Sequence, residues 1–268
     1  MTGTHVAESA TTIVDLSATT PGDEPRGGAA RWFRRLAPLI AVVIVLALLA
    51  LWISSRELDS IEQRTLNWDY LLARTREHLV LTFVASALVA ALAIPIGIAV
   101  SRSTSRIFRG MVGAIANIGQ ATPAVGLIIL LAIAWQTGFT TALVGIVAYS
   151  FLPVLRNTVA GLDQIEPSVR ESARGMGMTS GQSLWRIELP LASPVIIAGL
   201  RTALVFAVGV ATVATFINAG GLGDMIVNGL KLQRYPVVVV GAVLVAAIAV
   251  LIDWFAGLVE ELVKPKGL

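Results

Sequence analysis

The sequence predicts an all-α membrane protein, a bundle of six transmembrane helices with an organised helical loop on its basic side. Three observations predict it. The 268 residues are 56% hydrophobic and only 14% charged, with mean hydropathy +0.79. A soluble domain carries about 25% charged residues, so this apolar excess needs the bilayer as a second apolar solvent. Six apolar runs long enough to cross hydrocarbon recur along the chain, and Lys and Arg gather on alternate connections between them.

The elements follow in order. Residues 1–30 are rich in Thr, Ser, Gly and Pro and read as a disordered tail. No basic segment opens the chain, so this is not a signal peptide. The first span is 36–53, behind Arg31, Arg34 and Arg35; with the outer loop after it, it makes up a segment 31–70. The remaining spans, 79–100, 111–135, 139–155, 191–217 and 236–258, belong to a transmembrane domain 71–262, and 263–268 close the chain. In the second span Pro95 and Gly97 predict a kink. In the third, Gln120, Thr122 and Pro123 interrupt the apolar run and predict another; such groups either line a passage or hold helices together. Arg201 lies well inside the fifth span, where a charge is costly and faces protein or water. It either has a structural partner, such as a carbonyl or carboxylate, or lines the passage. Asp253 is expected at the interface. Residues 218–224, NAGGLGD beginning with Asn218, form a tight turn closing the passage on the outer side. That turn lacks the Lys-Ser/Thr of a phosphate-binding loop, so the chain does not hydrolyse ATP by that route.

Six spans put both termini on one side. On that side lie Arg26, Arg31, Arg34, Arg35, Arg102, Arg106, Arg109, Arg156, Arg170, Arg174, Arg186, Lys264 and Lys266; on the other lie Arg56, Arg64, Arg74, Arg76, Lys231 and Arg234. Thirteen against six makes the termini cytoplasmic. The net charge of +3 is thereby accounted for without nucleic acid, for which no aromatic-interleaved groove or zinc pattern is present. With no cysteine there is no disulfide or thiolate site, and His5 and His78 lie in polar flanks, so neither a metal site nor a cofactor is expected. The aromatic residues of the spans are dispersed and read as interface anchors rather than as a ligand cage.

The stretch 163–194 is the longest connection on the basic side. Pro167 suits the first turn of a helix, and Glu166 and Glu171 suit its positive end. Gly175 and Gly177 permit a sharp change of direction, and Thr179 with Gln182 three residues on fits a capping box that starts a second helix. Such a pair of short amphipathic helices around a glycine elbow either lies against headgroups or its own bundle, or docks in a groove of a partner.

Here the chain resembles a known family. Glu171, Ser172 and Ala173, then Gly177 after three residues, Ile187 after nine more, and Leu189 and Pro190 reproduce the spacing of the EAA loop of binding-protein-dependent ABC importer permeases of type I. The one departure is Ser172, where alanine is usual. The resemblance covers about 70–260. It implies that 163–190 is a coupling loop whose helix inserts into a cleft of the ATPase subunit. Glu171, Ala173 and Gly177 would contact that subunit, and Ile187, Leu189 and Pro190 would connect the helix rigidly to the next span. A narrower resemblance, through HLVLTFVASALVAALAIPIGI, LPVLRNTVAGL, ESARGMGMTSGQ, ELPLASPVIIAGLRTA and INAGGLGDMI, is to permeases for glycine betaine, choline, carnitine or proline betaine; methionine and phosphonate permeases share parts of it. The partners implied are two ABC ATPase subunits, a second permease copy or a sister permease, and an extracytoplasmic substrate-binding protein, in the inner membrane of a prokaryote. Gln120, Thr122, Pro123, Arg201 and Asn218 are the candidates for the passage. An ion-coupled carrier is the competing class. It calls for intramembrane carboxylates and often an inverted repeat; the spans hold no carboxylate near their centres and show no repeat.

Overall fold

The computed structural model describes residues 28–263, with side chains from 35 onward. Residues 1–27 and 264–268 lie outside the described residues, and with them His5, most of the expected tail, and the expected C-terminal segment. The chain divides into two units between Ala37 and Pro38, inside the first helix, and the packing described below belongs to the second.

The described residues form eleven α-helices and no strand. They are α1 (Gly28–Ser54), α2 (Ser60–Thr65), α3 (Trp68–Arg102), α4 (Arg106–Ala121), α5 (Ala124–Ala134), α6 (Phe139–Asp163), α7 (Pro167–Gly175), α8 (Ser180–Ser183), α9 (Leu189–Val213), α10 (Gly223–Lys231) and α11 (Tyr235–Val263). A π-helical turn, Leu184–Glu188, leads into α9, and a 3-10 turn, Ala214–Ile217, ends it.

Five helical segments are long and apolar enough to cross a membrane, or six if α4 and α5, bent by 101° at their junction, are counted together as one span. The break is at Thr122–Pro123. Proline disfavours the helical region for the residue before it, and Thr122 is accordingly extended at φ −71°, ψ 133°. At about 1.5 Å per residue, neither α4 nor α5 alone reaches across a hydrocarbon core of about 30 Å. The segment expected as one kinked helix over 111–135 is therefore two shorter helices meeting at a sharp bend.

The connection after the first span also differs from expectation. The polar stretch 54–78 holds α2 and the first turns of α3. Asp59 and Glu62 form a capping box on α2, and the Asn67 side chain accepts from the Tyr70 amide at 2.9 Å to start α3. His78 is consequently not in a polar flank but fully buried within α3. Pro95 lies inside α3, which continues past it to Arg102.

The bundle centres on α6, which packs against α9, α3 and α4. Small residues set the approach. A Cβ added at Gly97 of α3 would meet Thr158 Cβ of α6 at 2.7 Å, and one at Gly199 of α9 would meet Asn157 Cβ of α6 at 2.7 Å. Gly97 is thus a packing seat, the use of small residues that lets membrane helices close up where lipid supplies no hydrophobic drive between them. Leu81, Ile128, Ile146 and Ala207 join α3, α5, α6 and α9 in one buried cluster. By contrast α1 exposes Val43, Leu48 and Leu51, an apolar face suited to acyl chains, and touches the bundle through Leu49 and Ile53.

Candidate functional site

The 163–190 loop is built as a rigid unit. Pro167 occupies the start of α7, where its missing N–H leaves nothing unpaired. At the other end Gly177 takes φ +79°, a left-handed conformation that glycine adopts without a Cβ penalty. The Gly177 amide donates to the Arg174 carbonyl at 2.9 Å and the Met178 amide to the Ala173 carbonyl at 3.1 Å. These two bonds make a Schellman cap. Thr179 and Gln182 then form the capping box that opens α8. Glu171, Ser172, Gly177 and Pro190 are exposed, whereas Ile187 and Leu189 are half-buried. Ala173 is fully buried against its own chain, so its side chain supports α7 from within and is not on the surface offered to a partner. The apolar groups offered outward are Met176 and Trp185, exposed by 67% and 72%.

Glu188, unremarked in the sequence, is the hub of this unit. Its side chain is 6% exposed. One carboxylate oxygen accepts from Arg102 at 2.7 Å and from the Ser183 hydroxyl at 3.0 Å, and the other accepts from Arg170 Nε at 3.2 Å. Arg170 also donates to the Leu162 carbonyl at 2.6 Å, and Arg102 to the Ser180 carbonyl at 3.4 Å. A cavity of about 260 Å³ between Ser101, Arg102, Arg170, Arg174 and Glu188 separates the loop from the end of α3. A single acidic residue inside an apolar stretch, Ile187-Glu188-Leu189, was the available signal.

The passage candidates are not brought together. Gln120, Thr122 and Pro123 cluster at the α4–α5 elbow, where the Thr122 hydroxyl donates to the Ile118 carbonyl at 2.8 Å. Arg201 is engaged elsewhere: Nε and one terminal nitrogen pair with the two oxygens of Asp253 at 2.6 and 2.7 Å, and the other terminal nitrogen reaches Glu260 at 3.2 Å. Asp253 is thus the carboxylate partner of Arg201 across the α9–α11 contact, the structural partner that was one of the two expectations for Arg201. Asn218 is exposed, in the left-handed region at φ 61°, at the start of the glycine turn.

That turn is held at the other end of α3. The Gly221 amide donates to Glu77 at 2.9 Å, and Arg74 bridges Glu77 at 2.8 Å and Asp224 at 2.9 Å. The Thr215 hydroxyl also donates to Asp224. Burial pushes the Asp224 carboxyl above the usual carboxylate range; Arg74 pulls it down and Glu77 adds to the rise.

Residues 93–265 match the family model described as binding-protein-dependent transport system inner membrane component. The chain is 38% identical over 202 residues to the glycine betaine/carnitine/choline transport system permease protein OpuCB of Bacillus subtilis (strain 168), covering 75% of this chain and 92% of that one. It is 33% identical over 216 residues to the osmoprotectant import permease protein OsmW of Salmonella typhimurium, covering 79% of this chain and all of that one. Among solved structures it is similar to a chain of the MetNI methionine ABC transporter in an inward-facing conformation, with TM-score 0.65 and 23% identity over 73% of this chain and 97% of that one. The last likeness bears on the fold.

Proposed function

The chain belongs to the binding-protein-dependent transport system inner membrane components, the transport subunits of ABC importers, and from that membership we propose that its cargo is a small quaternary-ammonium osmoprotectant. The glycine betaine, carnitine and choline named for a relative at 38% identity support this class. ATP is hydrolysed by a separate subunit. Two such subunits act on a pair of permeases, this chain with a second copy or a sister, and a substrate-binding protein delivers cargo outside. Both termini face the cytoplasm, as the distribution of Lys and Arg supports.

The observation that carries the coupling assignment is the capped α7–α8 unit of the 163–190 loop, with Met176 and Trp185 held outward on it. Two large apolar side chains held outward on a capped, otherwise polar element support a docking role for it. Glu171 and Gly177 lie on the exposed side of that element, while Ile187, Leu189 and Pro190 carry its motion into α9. Gln120, Thr122 and Pro123 are the better candidates for lining the passage, since the elbow breaks a span with polar groups.

Uptake of labelled glycine betaine, choline and methionine in cells lacking the gene tests this reading, with rescue by wild type and by Gly177→Trp. Loss of betaine or choline uptake, restored by wild type alone, is the expected result. Unchanged uptake of all three removes the osmoprotectant assignment, and full rescue by Gly177→Trp removes the docking role of the loop.

A further inference from the structure

The inner loop is covalently continuous with α6 and α9, but α3 reaches it only through side chains. Arg102, in the last turn of α3, donates to Glu188 at 2.7 Å and to the Ser180 carbonyl at 3.4 Å. Near its other end, α3 carries Arg74 and Glu77, which hold the 218–224 turn through Asp224 and the Gly221 amide. Glu77 and Arg102 are 25 residue steps apart within one helix, about 38 Å at the α-helical rise.

We propose that Arg102 and Glu188 form a joint through which displacement of the inner loop drives α3, and that α3 carries this displacement to the outer glycine turn. This rests on the coupling role proposed for the loop. Glu188 suits a joint because its carboxylate is buried and shared: Arg102 comes from α3, Arg170 from α7 and Ser183 from α8. Separating any one of them leaves a buried charge short of a partner, so the elements move as one body. α9 is bound to the same point by the main chain at Leu189. A stroke that enters at α7 therefore reaches two spanning helices together. Such a chain of packed and bonded groups between two separated sites is a physical route for coupling, provided both ends respond. Arg102 and Glu188 are positioning residues, acting through α3 and not on cargo or nucleotide.

The test uses the whole importer, permease with its ATPase and binding protein, reconstituted in lipid vesicles. Arg102→Gln, Glu188→Gln and the double variant are compared for co-purification of the ATPase subunit, ATP hydrolysis and uptake of labelled glycine betaine. Arg102 keeps a third of its side chain in water, so Arg102→Gln is the milder change and guards against a variant that fails to fold. Expected are normal co-purification, retained ATP hydrolysis, and cargo moved per ATP lowered about five-fold or more in each single variant, the lower end for coupling between sites. The double variant is no worse than either single one, and Arg102→Lys recovers part of the ratio. A wild-type ratio in assembled Arg102→Gln, or additive losses in the double variant, overturns the joint alone. A wild-type permease that binds no ATPase overturns the joint and the coupling role together.

Discussion

The two ends of α3 are both held by an arginine and carboxylates, yet they are built from different parts. At the inner end the geometry is made by side chains: Glu188 gathers Arg102, Arg170 and Ser183, and the nearby glycine Gly181 has open space around it. At the outer end it is made by the main chain. Gly220 and Gly221 take φ +80° and +91°, Gly221 offers its amide to Glu77, and a Cβ at Gly223 would overlap the Thr212 carbonyl. A joint made of side chains leaves the backbone around it free to accept other residues, as at Gly181. A turn whose backbone admits only glycine either has its shape or loses it.

The largest effect should therefore come from the outer turn. Gly223→Ala forces a methyl group into a backbone carbonyl and is expected to cost about 3 kcal/mol or more, the upper range for overpacking. The amount of folded permease, followed by size-exclusion chromatography of membrane extracts, should collapse. Gly181→Ala at the inner end should stay within about 0.5 kcal/mol of wild type, as surface changes do. Equal losses in the two variants would break the comparison.

Gly177→Ala probes the one place where the inner end also depends on main-chain shape. Its positive φ costs a non-glycine residue about 1–2 kcal/mol, without a clash, since nothing lies within 4 Å of an added Cβ. A shift of a few degrees in thermal midpoint, with the protein still folded, is expected. A collapse like that of Gly223→Ala would mean that both ends are equally backbone-determined.

The smallest effect concerns charge. Burial raises the Asp224 pKa above its ordinary value, so the folded state takes up a proton at a higher pH than the unfolded chain. Ionised Asp224 costs stability above the raised pKa, and that cost is relieved as pH falls from there toward the ordinary value near 3.8. The thermal midpoint of wild type relative to Asp224→Asn should then rise on acidification from pH 7, by a small margin. A falling difference would mean that Arg74 outweighs burial at Asp224.

Much of this arrangement was legible in local pattern. Pro167, the Thr179–Gln182 box and the Gly177 elbow each act within a few residues, and each stands where its chemistry requires. The long apolar runs gave the spans, and Pro123 gave the position of the break, because proline acts on its neighbour. What stayed hidden depends on distance along the chain. Glu188 and Arg102 are 86 residues apart, and Arg201 and Asp253 are 52; nothing local announces either pair. The early start of α3 was masked for another reason. Its first turns, with Asp69, Arg74, Arg76 and Glu77, are too polar to register as span, although the Asn67 cap marks them.

The length of α3 has one more consequence. Thirty-five residues extend about 52 Å, well beyond a hydrocarbon core of about 30 Å. The apolar portion from 79 to 100 matches that core, leaving roughly three turns standing past the acyl chains at the Arg74 end. A helix with one lipid-matched stretch and both ends tied to other elements answers to membrane thickness. The two ties therefore sit at different depths, one at the end of the lipid-matched stretch and one about three turns beyond its other end.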